Sequence, residues 1–311
     1  MTSPLQPLLA VTALPAAGRK AFLTGLAIAI VGAVLFSGKA IVAKLMYLYQ
    51  IDAVTVIAFR MMFSVPVFAA IAFWKARTEA PLLTSDRWRI VALGLLGYYL
   101  SSFLDFLGLQ YISAGLERLI LFLTPSFVLL MSVAFYRKKI RLVEWGALIV
   151  SYAGTVLVFL HDVKVGGPNV GLGSMLVLMS AVSYAFYLLF SGQLVRRVGA
   201  TRLVAYAMCI SSVACIGQFF ILRPVSELVQ PTGVYALSIV NAVFCTVLPV
   251  FMTMIAVDRI GATTTSQAGM VGPVSTLFMG AVLLSEPITG IQLVGTALVL
   301  SGIYLLSKKK T

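Results

Sequence analysis

The sequence predicts an all-α integral membrane protein of ten transmembrane helices arranged as two inverted five-helix repeats, with both termini on the cytoplasmic side. Three observations predict it. Sixty per cent of the 311 residues are apolar, only 11% are charged, and the mean hydropathy is +1.03. A soluble domain carries about 25% charged residues, so a soluble enzyme, a disordered regulator and a secreted disulfide scaffold are excluded. The apolar residues form continuous helix-length runs rather than the roughly 10-residue alternation of a membrane β-barrel. Part of the chain also returns after a shift of 148 residues.

A spanning helix needs about 20 mostly apolar residues. Ten segments meet this: 22–47, 53–74, 88–110, 114–136, 141–161, 170–194, 200–222, 232–256, 262–284 and 287–306. Residues 1–20 read as a cytoplasmic tail, loosened by Pro4, Pro7 and Pro15, with no clear cleavable signal. Residues 21–161 form the first repeat and 170–307 the second. Short links make sequential helices antiparallel, and no loop is long enough for a separate domain. With the N-terminus inside, the basic groups Arg19–Lys20, Lys75–Arg77, Arg87–Arg89, Arg137–Arg141, Arg196–Arg202, Arg259 and Lys308–Lys310 are all cytoplasmic. Only Lys44, Lys164 and Arg223 are outside. Such asymmetry orients a membrane protein. It also accounts for the net charge of +13 without invoking nucleic acid.

In the repeat, YISAGLERLILFLTPSF (111–127) aligns with RIGATTTSQAGMVGPVS (259–275). Pro125 falls on Pro273, Ile112 on Ile260, Ala114 on Ala262 and Gly154 on Gly302. Only eight of 48 positions are identical over 111–158, so the argument rests on span order and on the proline and glycine spacing. Five spans per copy is an odd number, which turns the second copy upside down. Inverted repeats are characteristic of transporters; the bland reading is a duplicated scaffold that carries nothing.

Three stretches resemble the EamA-like branch of the drug/metabolite transporter superfamily: AFRMMFSVPVFAAIAFW (58–74), 112–158, and 261–306 with its Glu286-Pro287 step. The resemblance covers nearly all of the chain after residue 20. It implies a ten-helix exporter of amino acids, other metabolites or toxic compounds in the cell inner (plasma) membrane. One departure is Lys138, which stands where the second copy keeps Glu286.

A charge at mid-bilayer costs on the order of 2.5–3.5 kcal/mol. Five such residues fall inside spans: Lys39, Arg60, Asp105, Glu117 and Arg118. At 1.5 Å per residue all lie within roughly 12 Å of the outer boundary, in one layer. They form either an ion-pair network that fixes helices or a binding and gating cluster. Lys39, Arg60 and Asp105 are assigned to the substrate pathway, and Glu117 and Arg118 to gating or ion pairing. The 148-residue shift puts Tyr187, Met208, Thr253, Thr265 and Ser266 opposite these five, so the second half supplies hydroxyls and bulk instead of charge. Three cations against two carboxylates predict a solute bearing a carboxylate or phosphate.

Tyr99, Phe103, Tyr187 and Asn241 are the aromatic and amide candidates for lining the pathway, although aromatic side chains in membranes usually just pack. Pro125, Gly272 and Pro273 are candidate hinges, since proline breaks the helical hydrogen-bond ladder. Cys209, Cys215 and Cys245 lie in apolar runs and read as small hydrophobes, and with His161 as the one histidine neither a metal site nor a cofactor is expected. No nucleotide-binding motif appears, so coupling falls to protons through Asp105 or Glu117, to a counter-solute, or to neither. The partners expected are a small-molecule substrate and membrane lipid. The alternatives are an exporter of drug-like compounds and, more remotely, a non-transporting scaffold; a lipid-modifying enzyme lacks the residues it would need.

Overall fold

The computed structural model describes residues 16–137, 140–165 and 167–307. The expected tail up to residue 15, the departure at Lys138 and the basic end Lys308–Lys310 lie outside them. Ten helical stretches cross the bundle: α1 (Ala16–Tyr47), α2 (Ala53–Thr78), α3 (Thr84–Leu109), α4 (Ala114–Tyr136), α5 (Leu142–Val165), α6 (Val170–Val198), α7 (Ala200–Leu222), α8 (Thr232–Gly261), α9 (Thr264–Leu284) and α10 (Gly290–Ser307). Nine are long and apolar enough to cross a membrane, and the tenth is a shorter apolar helix.

The apolar faces look outward as well as inward. Ile149, Val213, Ile221, Phe278 and Val282 are exposed, as expected where the surrounding medium is lipid. Helix starts use local chemistry. Asp52 accepts from Thr55 N at 2.9 Å at the head of α2, and Ser113 accepts from Leu116 N at 3.1 Å at the head of α4. Each such bond satisfies a backbone donor that the first turn leaves unpaired.

The principal packed pairs are α5 with α10, α2 with α7, α4 with α9, α1 with α8 and α9, α6 with α3 and α4, α2 with α8, and α7 with α3. Exchanging each helix of the first five with its counterpart five helices later returns the same set. The register of 148 residues survives to atomic detail. A Cβ on Gly25 would meet Ile260 Cγ2 at 2.6 Å and Arg259 Cβ at 3.0 Å. A Cβ on Gly173, 148 residues on, would meet Ile112 Cγ2 and Tyr111 Cβ, both at 2.8 Å. Those partners are again 148 residues apart. The left-handed helix ends at Arg137 (φ 52°) and Ser285 (φ 55°) also match.

Two features are absent from the sequence reading. α3 widens into a π-helical turn at Leu95–Leu100 and α8 does so at Val243–Val247, again 148 residues apart at their starts. Such turns free backbone groups inside a helix and occur often at functional positions. α4 and α9 are each interrupted, at Phe122–Leu123 and at Gly269–Met270. The interruptions fall just before Pro125 and before Gly272 and Pro273. The prolines sit in the first turn of the following segment, where a missing N–H costs little. They restart the helix rather than kink it.

Candidate functional site

The charged layer forms at one end of the bundle, the end at which α1 finishes. Lys39 Nζ on α1 donates to Asp105 Oδ2 on α3 and lies 3.3 Å from Glu117 Oε1 on α4. Arg118 Nη2 donates to Ser37 Oγ at 3.1 Å. Its guanidinium rests on the backbone of Gly272 in the second half, whose carbonyl accepts from Ser37 Oγ at 3.2 Å. Arg60 on α2 also reaches the second half: its Nε donates to Thr246 Oγ1 at 2.8 Å. Thr246 in turn donates to the Asn241 carbonyl at 2.9 Å, within the π-widened turn of α8.

Two phenylalanines each contact two of the cations. Phe106 lies between Lys39 Nζ, 5.6 Å from its ring centre, and Arg60 Cζ, at 5.2 Å. Phe36 lies between Lys39, at 5.6 Å, and Arg118, at 5.1 Å. A cation within about 6 Å of a ring centre gains from the ring quadrupole, most where water is excluded. The five ionisable residues are only 0–6% exposed. The charges close on one another and on the rings, because a buried ion without partners is costly.

The ends of the bundle carry ion pairs between the halves. Lys44 Nζ is 3.1 Å from Glu286 Oε1, which also accepts from Ala114 N at 3.3 Å, so one carboxylate ties α1, α4 and the end of α9. Asp52 accepts from Arg223 Nε at 2.6 Å, and this bond holds its carboxyl below the usual range against the opposing effect of burial. At the other end Asp86 pairs with Arg197, and Glu79 lies 3.4 Å from Arg202. Asp52–Arg223 and Glu79–Arg202 thus clamp both ends of the pair α2–α7.

The remaining sequence candidates fall elsewhere. Tyr187 does not join Lys39. It packs against Tyr98, at 5.0 Å between ring centres with a 3.3 Å bond between hydroxyls, and against Tyr184. Its ring covers Gly97 in the π-turn of α3. Because Tyr187 occupies the position equivalent to Lys39, the internal symmetry carries it to the opposite half of the bundle. Tyr99 and Phe103 are half-buried and pack on the core around α1, α2 and α3. Asn241 is fully buried, and neither atom of its amide has a partner. Ser37 and Thr246 were missed from sequence. Only the 148-residue register offered a hint for Thr246, as the counterpart of Tyr98.

Among the described residues no cluster of three metal-ligating side chains occurs. The model of the EamA-like transporter family matches twice, over residues 23–160 and 171–308. An uncharacterized transporter of Bacillus subtilis, YcbK, is 31% identical over 279 residues, covering 86% of this chain and 87% of the relative. An uncharacterized transporter of Archaeoglobus fulgidus is 27% identical over 225 residues, covering 72% and 79%. One solved crystal structure shares the fold with a TM-score of 0.64 at 17% identity, over 91% of this chain and 96% of that one.

Proposed function

The chain belongs to the EamA-like transporter family, a multi-pass membrane transporter rather than an enzyme, and from that premise we propose that it exports a small carboxylate-bearing metabolite, such as an amino acid, by alternating access. The observation that carries this reading is the sealed cluster at the junction of the halves, where three cations face two carboxylates and both Arg60 and Arg118 reach across to the second half. A deep positive excess recruits an anionic group and repels lipophilic cations.

Repeats 21–161 and 170–307, oppositely oriented in the plasma (inner) membrane with both termini inside, move against each other. The odd helix count and the exchange of packed pairs support the inversion. The breaks in α4 and α9 serve as hinges with Pro125, Gly272 and Pro273 beside them. Coupling runs through protons on Asp105 or Glu117, or through a counter-solute. The second reading, export of drug-like compounds, draws support from the Tyr98–Tyr184–Tyr187 cluster.

Purified protein in sealed liposomes, assayed by counterflow of labelled amino acids and monocarboxylates at two pH values, tests the proposal. Saturable flux of a carboxylate supports it. A preference for lipophilic cations overturns it in favour of the second reading.

A further inference from the structure

Lys39 carries the positive charge deepest in α1, yet its ammonium is already neutralised by Asp105 and sits beside Glu117. Those two carboxylates leave one negative charge over, and Arg118, which like Arg60 has no carboxylate oxygen within 4.0 Å among the described residues, bonds Ser37 beside them. Arg60 lies 5.2 Å from the centre of the Phe106 ring, which Lys39 also contacts. Among the described residues no carboxylate oxygen lies within 4.0 Å of it, and its buried Nη1 meets no acceptor. Its Nε is pinned by Thr246, whose hydroxyl is held in turn by the Asn241 carbonyl. The Asn241 amide brings a further unpaired donor and acceptor to the same widened turn of α8. Buried polar groups are almost always satisfied, and a buried guanidinium without a counter-charge is costly. Arg60 Nη1 and the Asn241 amide are thus unpaired on two residues that Thr246 links, as Asp105 Oδ1 and Arg118 Nε are in the adjoining cluster.

We infer that Arg60, with Thr246 and Asn241, seats a single carboxylate of the transported solute, and that Lys39 is a positioning residue locked by Asp105 and Glu117. This rests on the reading of the chain as a carrier of carboxylate-bearing solutes. One negative charge neutralises the surplus on Arg60, whereas a dicarboxylate leaves an uncompensated charge in a dry site. The solute class is therefore one with a single carboxylate head, and Asn241 Oδ1 accepts from a hydroxyl group beside it.

The test uses the full chain in detergent and in liposomes. The probes are the protein amino acids, propionate, lactate and pyruvate, with succinate as the dicarboxylate. Thermal shift reads binding and counterflow reads KM and maximal rate. Wild type binds at least one single-carboxylate probe about tenfold or more tighter than succinate. Arg60→Gln loses about thirtyfold or more in affinity, as removal of one partner of a buried charge pair does. Arg60→Lys raises KM with the maximal rate largely kept, because an ammonium cannot present the planar fork. Thr246→Val raises KM several-fold, and Arg89→Gln, an exposed cation outside the cluster, leaves KM near wild type. If Arg60→Gln does not fold, Arg60→Lys and Thr246→Val decide. Unchanged KM in both, or loss of binding in Arg118→Gln but not at Arg60, overturns the assignment while leaving a carboxylate carrier in place. If no carboxylate binds or moves in wild type and another solute class does, the carrier reading falls and takes this inference with it.

Discussion

At the scale of single residues, burial decides what each charge does. Lys39 holds two carboxylates that would otherwise face each other without compensation. Removing one partner from a buried ionic network costs about 3–5 kcal/mol. Lys39→Met should therefore lower the thermal stability of the purified protein sharply, and adding Asp105→Asn should restore part of it. A double variant no more stable than the single would show that the carboxylates are not coupled through the lysine. Gly272 works by size. A Cβ there would lie 2.8 Å from Arg118 Nη2 and 3.2 Å from Ser37 Oγ. Gly272→Ala should displace the guanidinium tip, a flexible group, so the protein folds with a loss of about 1 kcal/mol. Its transport rate should fall, measured as counterflow against wild type.

At the scale of helices, close approach and interrupted backbone are the two features that shape the bundle. α5 and α10 meet so tightly that a Cβ on Gly154 would lie 2.6 Å from the Gly295 carbonyl, and one on Gly295 would lie 2.8 Å from the Gly154 carbonyl. Small residues at such crossings let membrane helices gain van der Waals contact, since lipid offers no hydrophobic driving force between them. Gly295→Leu should push the pair apart and abolish monodisperse folded protein on size exclusion. Gly146→Leu, on the same α5 but with open space beside it, should fold normally. α3, α4, α8 and α9 instead carry the π-turns and breaks, and they border the charged and tyrosine clusters. α3 combines the two features, since a Cβ on its Gly108 would lie 2.6 Å from the Gly173 carbonyl of α6.

At the scale of the whole molecule, ion pairs join the halves at both ends of the bundle, so the described conformation is latched twice. The Asp52–Arg223 latch has a definite pH dependence. A carboxyl held below its ordinary value adds stability above the unfolded value, near about 4, and that contribution fades as pH falls through the lower folded value. Asp52→Asn should therefore melt below wild type at neutral pH, and the two curves should converge in acid below about pH 4. A gap that persists in acid would assign the difference to packing or to the lost cap on α2.

The family, the ten apolar stretches and the 148-residue register were legible in the linear chain. Each depends on composition and spacing, which lipid and helix geometry translate directly into structure. Lys39, Asp105 and Glu117 could be placed in one layer by counting turns from the ends of their spans. The partition between Lys39 and Arg60 could not be counted out. It depends on which carboxylate a flexible side chain meets across three helices, and on Phe106 standing between them. The neighbours of Tyr187 were hidden for a related reason: the register pairs it with Lys39, but only the arrangement of helices sets it against Tyr98 and Tyr184. The candidate hinges were likewise read at prolines in the sequence, while the backbone breaks two to four residues earlier. Periodicity reports what each helix needs from its solvent; who neighbours whom is settled by packing, where long-range contacts of only a few kcal/mol select one arrangement among many.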